Sequence, residues 1–133
     1  MNPKDIENLE NLINLPKVTR LLVAGGRDFN DYAFLHRYLS RLQTIIPPIE
    51  TLIHGAARGA DSLAAQWATS RSIPTLSFPA QWDLYGKSAG YRRNLQMLLE
   101  GKPTLVVAFP GGRGTAHMVE LARTHQIPTH TTW

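Results

Sequence analysis

Apolar residues recur along this chain in two alternating rhythms. Short runs rich in Leu, Val and Ile, bounded by Gly, Pro or polar clusters, predict strands over residues 20–24, 51–54, 75–78, 104–109 and 128–131. Between them, apolar positions return every three or four residues over 31–46, 60–72, 89–99 and 115–124, which predicts amphipathic helices, with a further short helix over 4–15. Strict alternation of strand and helix predicts an α/β fold: a Rossmann-like, mostly parallel five-stranded sheet with helices on both faces and an added N-terminal helix. The breakers agree with these limits. Pro47-Pro48 and Gly101-Lys102-Pro103 stop helices, and Ile73-Pro74 and Ile127-Pro128 each deliver the chain from a helix into a strand.

At 133 residues and 43 % hydrophobic composition, the chain supports one core. We therefore expect a single domain over 19–133, preceded by a helical extension over 1–18. Residues 79–90 show neither period and read as a long loop, of a length that is usually functional. Trp82 and Tyr85 within it oppose disorder and are read either as plugs in the core or as ligand contacts.

Fourteen Lys and Arg against ten Asp and Glu leave a net charge of +4, and ten of the cations are arginine. The planar guanidinium suits two-pronged contact with phosphate and stacking on bases. There is no cysteine, so disulfides and thiolate metal sites are excluded. The polar start does not read as a signal peptide and no apolar run is long enough to cross a bilayer, so a cytoplasmic location without membrane contact is expected. The five histidines show no paired ligand spacing; no cofactor is required, and magnesium is expected only together with a ligand phosphate.

Glycine-rich turns fall after the first, second and fourth strands, at the strand ends where open α/β sheets bind ligands. Phe109-Pro110-Gly111-Gly112-Arg113-Gly114-Thr115 leads from a strand into a helix. Its glycines allow close backbone approach and positive φ, and the helix start offers unpaired N–H groups to an anion, with Arg113 able to fold over it. Gly25-Gly26-Arg27-Asp28 reads either as a facing wall of the same site or as a tight turn with Asn30 capping the next helix. In His54-Gly55-Ala56-Ala57-Arg58-Gly59-Ala60-Asp61, Asp61 favours the helix dipole or accepts a ribose hydroxyl, and His54 reads as a packed histidine. Gly86-Lys87-Ser88 lacks the upstream glycine of a P-loop, whereas Arg92, Arg93 and Asn94 are placed to meet a base and a phosphate.

Together these motifs, with Phe78-Pro79-Ala80-Gln81-Trp82 and Tyr85-Gly86-Lys87, resemble the SLOG superfamily over residues 21–129, in its small single-domain YspA-like, YpsA-related branch. The resemblance implies a Rossmann-like domain for nucleotides or nucleotide-derived molecules, of a kind proposed as sensors in bacterial and phage conflict. It also implies homo-oligomers, to which the apolar face of Tyr38, Leu39, Leu42, Ile45 and Ile46 is a candidate contributor, although a buried helix face explains it equally well.

The related Lonely Guy phosphoribohydrolases carry P-G-G-x-G-T-x-x-E and R-K-x-x-M. Arg93-Asn94-Leu95-Gln96-Met97 resembles the second element, but Met118 stands where the first has its glutamate. Glu120 lies about 200° further round the helix.

The expected function is therefore binding of a phosphorylated, nucleotide-derived ligand (ADP-ribose-like, cyclic ADP-ribose-like or a nucleoside monophosphate) as a sensor or sequestering protein. Gly25, Gly26, Arg27, Asp28, Gly55, Arg58, Asp61, Trp82, Tyr85, Arg93, Asn94, Gly111, Gly112, Arg113, Gly114 and Thr115 are the candidate contacts. The alternatives are N-glycoside hydrolysis of nucleotides, using Asp61, Asp28 or Glu120, and binding of single-stranded DNA, as in the Smf relatives.

Overall fold

The computed structural model describes residues 16–133, so the helix expected over 4–15 lies outside the described residues. The strands are β1 (Thr19–Ala24), β2 (Ile49–His54), β3 (Thr75–Ser77), β4 (Leu105–Ala108) and β5 (Thr129–Thr131). The helices are α1 (Tyr32–Gln43), α2 (Ala60–Ser70), the short α3 (Trp82–Tyr85), α4 (Ala89–Gly101) and α5 (Arg113–Thr124). All strand pairs are parallel, in the order β3-β2-β1-β4-β5. The chain works outward from β1 to β3 and then returns to β4 on the other side of β1. The strand order therefore reverses between β1 and β4, and the crevice at their carboxyl ends is where such sheets accept ligands.

Both faces of the sheet are covered because the successive β1 side chains of Leu21, Leu22, Val23 and Ala24 are all apolar and point to opposite sides. Leu21 and Val23 pack with Leu35, Leu39 and Leu42 of α1 and Ala64 and Trp67 of α2. Leu22 and Ala24 pack with Met97 and Leu98 of α4 and Met118 and Ala122 of α5. The expected Rossmann-like architecture is thus present.

Several local expectations need correction. Residues 79–90 are not a plain loop: α3 passes through a 3-10 turn at Gly86–Ser88 into α4. Trp82 and Tyr85 are 46 % and 41 % exposed, so neither plugs the core. Helix α1 is capped by Asp31, whose Oδ1 accepts the Phe34 N–H at 3.0 Å, and not by Asn30. It also stops at Gln43, where the Thr44 hydroxyl and N–H turn back onto the Arg41 carbonyl. On its apolar face Leu39 and Leu42 are buried and Tyr38 packs on the core; beyond the helix end Ile46 packs on the core and Ile45 lies in solvent. Helix α5 starts at Arg113, two residues earlier than its period suggests, because glycine's weak helix propensity masks the first turn.

Helices α2 and α5 leave by the same joint. Ser72 and Gln126 adopt left-handed φ of 58° and 59°. The next N–H groups, of Ile73 and Ile127, return to the carbonyls of Ala68 and Ala122, each at 2.9 Å. This is the Schellman closure, with the isoleucine turned into the core and a proline opening the strand. Left-handed geometry is unfavourable for a residue with a Cβ, so Ser72→Gly and Gln126→Gly should each raise stability by about 0.5–1 kcal/mol. Urea denaturation of each variant measures this, and a loss of stability would contradict the joint.

Candidate functional site

The loops after β1, β2 and β4 meet at Gly26. Its N–H donates to the Pro110 carbonyl at 2.9 Å, and its carbonyl accepts the N–H groups of Phe29 at 3.2 Å and Ala60 at 3.1 Å. The contact is backbone to backbone: a Cβ built on Gly111 would lie 2.6 Å from the Gly26 nitrogen. Gly59 closes the third side with φ +78°, a conformation that a side chain resists. Beneath the junction, Phe109 is fully buried against Phe29, Phe34 and Tyr38, with ring centroids 5.3, 6.0 and 5.8 Å away. This aromatic cluster ties the β4 end to the first loop and to α1.

Above the junction, at the reversal between β1 and β4, opens a cavity of about 460 Å³. Gly25, Gly26 and Arg27 form one wall and Gly112, Arg113, Gly114 and Thr115 face them. Asp61 enters from α2, Trp82 from α3, and Arg93 and Asn94 from α4. Most of the candidate contacts therefore come together.

The glycines of the 111–114 turn do not work as expected, because none has positive φ; Gly112 sits at −98°. What matters is bareness. A Cβ on Gly112 or Gly114 would meet nothing within 4 Å, so both present open backbone to the cavity. Gly112 is the N-cap of α5 and supplies no side-chain hydrogen bond. The N–H groups of the first turn thus remain available to an anion, at the positive end of the helix dipole. Gly111 itself is packed against Gly26 and does not line the cavity.

Arg93 and Asp61 form the electrostatic centre. The Arg93 guanidinium donates through Nη1 to the Gly55 carbonyl and through Nε to Asn94 Oδ1 at 3.1 Å. Asp61 Oδ2 accepts the N–H groups of Gly55 at 3.0 Å and Ala57 at 3.3 Å. Burial nevertheless raises the Asp61 pKa to about 6, outweighing those N–H groups and the charges of Arg93 and Arg27. Burial also lowers the pKa of Arg93, opposed by Asp61. The packed His54 accepts the Ala56 N–H at 3.0 Å, and its pKa is lowered by burial and by Arg93. Asn94 bridges helices, its Nδ2 donating to the Gly114 carbonyl at 3.2 Å and lying 3.1 Å from His117 Nδ1. It fixes the start of α5 relative to α4.

The other candidates lie outside this cavity. Gly55 and Arg58 line an adjoining one. Tyr85 borders a third, with the Arg92 guanidinium 4.3 Å from its ring centre. Asp28 pairs with Arg58 on the surface at 3.3 Å.

Sequence reasoning missed Lys87, Gly90, Tyr91, Met97 and Met118 as cavity residues. Gly90, Asn94 and Met97 recur at helical spacing, so extending the face that carries Asn94 would have found two of them. Met118 is buried at the cavity wall, in the position where the hydrolase pattern has glutamate, and Glu120 does not line the cavity. Asp61 is the one carboxylate among the described residues that does. Among the described residues no group of three or more His, Asp or Glu could hold a metal, and no helix is long and apolar enough to cross a membrane.

The folded-state pKa of Asp61 lies above its ordinary 3.8, so its contribution to stability is complete below about pH 4 and is lost as pH rises through about 6. Asp61→Asn keeps an oxygen for the two N–H groups and removes that loss. Between pH 4 and 7 the variant should gain on the natural protein by up to about 3 kcal/mol, read from urea denaturation across pH. A pH-independent difference would contradict the assignment.

The family described as "YspA, cpYpsA-related SLOG family" matches residues 19–85, which include the first two glycine turns and Trp82. The chain is also 33 % identical over 116 residues to the Gene 61 protein of Mycobacterium phage D29, covering 82 % of this chain and 92 % of that one. No solved structure matches. The family match and the Rossmann-like sheet agree: the chain belongs to the YspA, cpYpsA-related SLOG family.

Proposed function

We propose that this protein binds a small nucleotide-derived phosphorylated ligand, of the ADP-ribose, cyclic ADP-ribose or nucleoside monophosphate type, and acts as its sensor or sequesters it. The observation that carries this reading is the uncapped start of α5, where bare Gly112 and Gly114 face a cavity that Arg27, Arg93 and Arg113 also line. Phosphate fits that combination of free N–H groups, helix dipole and guanidinium forks. Trp82 and Tyr91, both half exposed on the cavity rim, are suited to cover a base. Membership in a nucleotide-related family supports the same class of ligand.

Hydrolysis of an N-glycosidic bond is the second reading, and Asp61 favours it: a cavity carboxyl with a pKa of about 6 is poised for proton transfer. Against it, Asp61 Oδ2 is engaged by two backbone N–H groups and the position of the hydrolase glutamate holds a thioether. Single-stranded DNA finds less support, because the arginines of the described residues line cavities of about 460 and 390 Å³, room for a small ligand and not for a strand of several nucleotides. Self-association belongs to the proposal as well. Its support is the exposed pair Leu95 and Leu99 along α4, a better candidate contact than the mostly covered face of α1.

Calorimetric titration with the 5′-monophosphates of the common nucleosides should find one that binds. Arg113→Ala should weaken that binding by about 1.5–3 kcal/mol, the scale of a hydrogen bond to a charged group, with little loss of stability. Unchanged affinity removes Arg113 from the site. Free base released above a heat-inactivated control would favour the hydrolytic reading.

A further inference from the structure

Beside the main cavity lies a second of about 390 Å³, walled by the Gly55–Arg58 turn after β2 and by Pro79 and Ala80 after β3. The two are contiguous, since Arg27, Ala57, Trp82 and Arg93 line both. Their shared partition is a stacked pair: the Arg27 guanidinium lies 5.0 Å from the centre of the Trp82 ring. Among the described residues Arg27 makes no ion pair, so this stack is what holds it across the boundary.

The second cavity has its own charge logic. Among the described residues Arg27, Arg58 and Arg93 line it and no carboxylate does. The Arg58 partner, Asp28, stands outside in an ion pair whose side chains are 74 % and 96 % exposed. Such a surface pair holds Arg58 weakly and leaves it free to turn to a stronger anion. The wall between Gly55 and Arg58 is shaped by Ala56, a non-glycine residue held at φ 57°. Strain of that kind persists where surrounding structure enforces it, and here the Ala56 N–H to His54 and the Ala57 N–H to Asp61 do so.

Of the ligand types named above, we propose the nucleoside monophosphate type, extended by a second phosphate on the far side of its nucleoside: the 5′-phosphate sits at the start of α5, the second in the Arg27–Arg58–Arg93 cavity, and the nucleoside passes the Arg27–Trp82 stack. Nucleoside 3′,5′-bisphosphates and 5′-phosphorylated dinucleotides share that chemistry. The inference rests on the main cavity being a phosphate site, as proposed above.

The test compares the 5′-monophosphates of adenosine, guanosine, cytidine and uridine with the matching 3′,5′-bisphosphates and 5′-phosphorylated dinucleotides, by calorimetry on the full chain at physiological salt. For at least one base, the second phosphate should tighten binding by about tenfold or more, the scale of a charge-assisted hydrogen bond. In Arg58→Ala that ratio should fall to about threefold or less, whereas Arg123→Ala, at the far end of α5, should keep it. Because the readout is a ratio within each variant, loss of folded protein does not imitate it. Monophosphate binding that depends on Arg113 but gains nothing from a second phosphate, or a gain that survives Arg58→Ala, overturns this inference alone. Failure of every probe to bind overturns the phosphate reading of the main cavity and this inference with it.

Discussion

Everything at the carboxyl end of the sheet is organised by the backbone groups of one residue, Gly26. Its N–H and carbonyl are both spent on other loops, binding Pro110 on one side and Phe29 and Ala60 on the other. A side chain at Gly26 or Gly111 would force these loops apart, and the walls of the cavity would separate with them. The fully buried Phe109 beneath the junction anchors the same joint in the core, so the loops inherit the rigidity of β1 and β4. Preorganisation of this kind lowers the ordering cost of binding a small ligand.

On that rigid frame the charges are arranged without full compensation. Asp61 is the one cavity carboxylate among the described residues, and burial pushes it toward the neutral form. Arg93 is turned onto a backbone carbonyl, and Arg27 lies on an aromatic face. The α5 start adds free N–H groups and no side-chain cap. Together these choices leave positive potential facing the cavity, which an anionic guest would neutralise.

Much of this was legible beforehand, for identifiable reasons. Strands buried on both faces are continuous apolar runs, so β1 and β4 stood out, and glycine turns at strand ends marked the rim. The Trp82–Ser88 segment was not legible because a helix of one turn followed by a 3-10 turn has too few residues to show a period. The sequence puts the start of α5 two residues late because Gly112 and Gly114 have weak helix propensity. For Asp61 the sequence leaves open a dipole partner or an acceptor of a ribose hydroxyl, and its clasp on the N–H groups of Gly55 and Ala57 depends on a tertiary turn with Ala56 in a left-handed conformation. The separation of Arg58 and Gly55 from the main cavity likewise depends on where the Trp82 ring lies, which no local pattern encodes.

In the proposed function, main-chain N–H groups at the start of α5 hold the ligand's phosphate. Amide-resolved NMR on the full chain, titrated with whichever nucleoside 5′-monophosphate binds, tests it most directly. Saturable shifts should centre on the amides of Arg113, Gly114 and Thr115, with the Arg27 and Arg93 side chains responding at the same ligand concentration. Saturable binding that leaves those three amides unmoved and shifts another surface would contradict it.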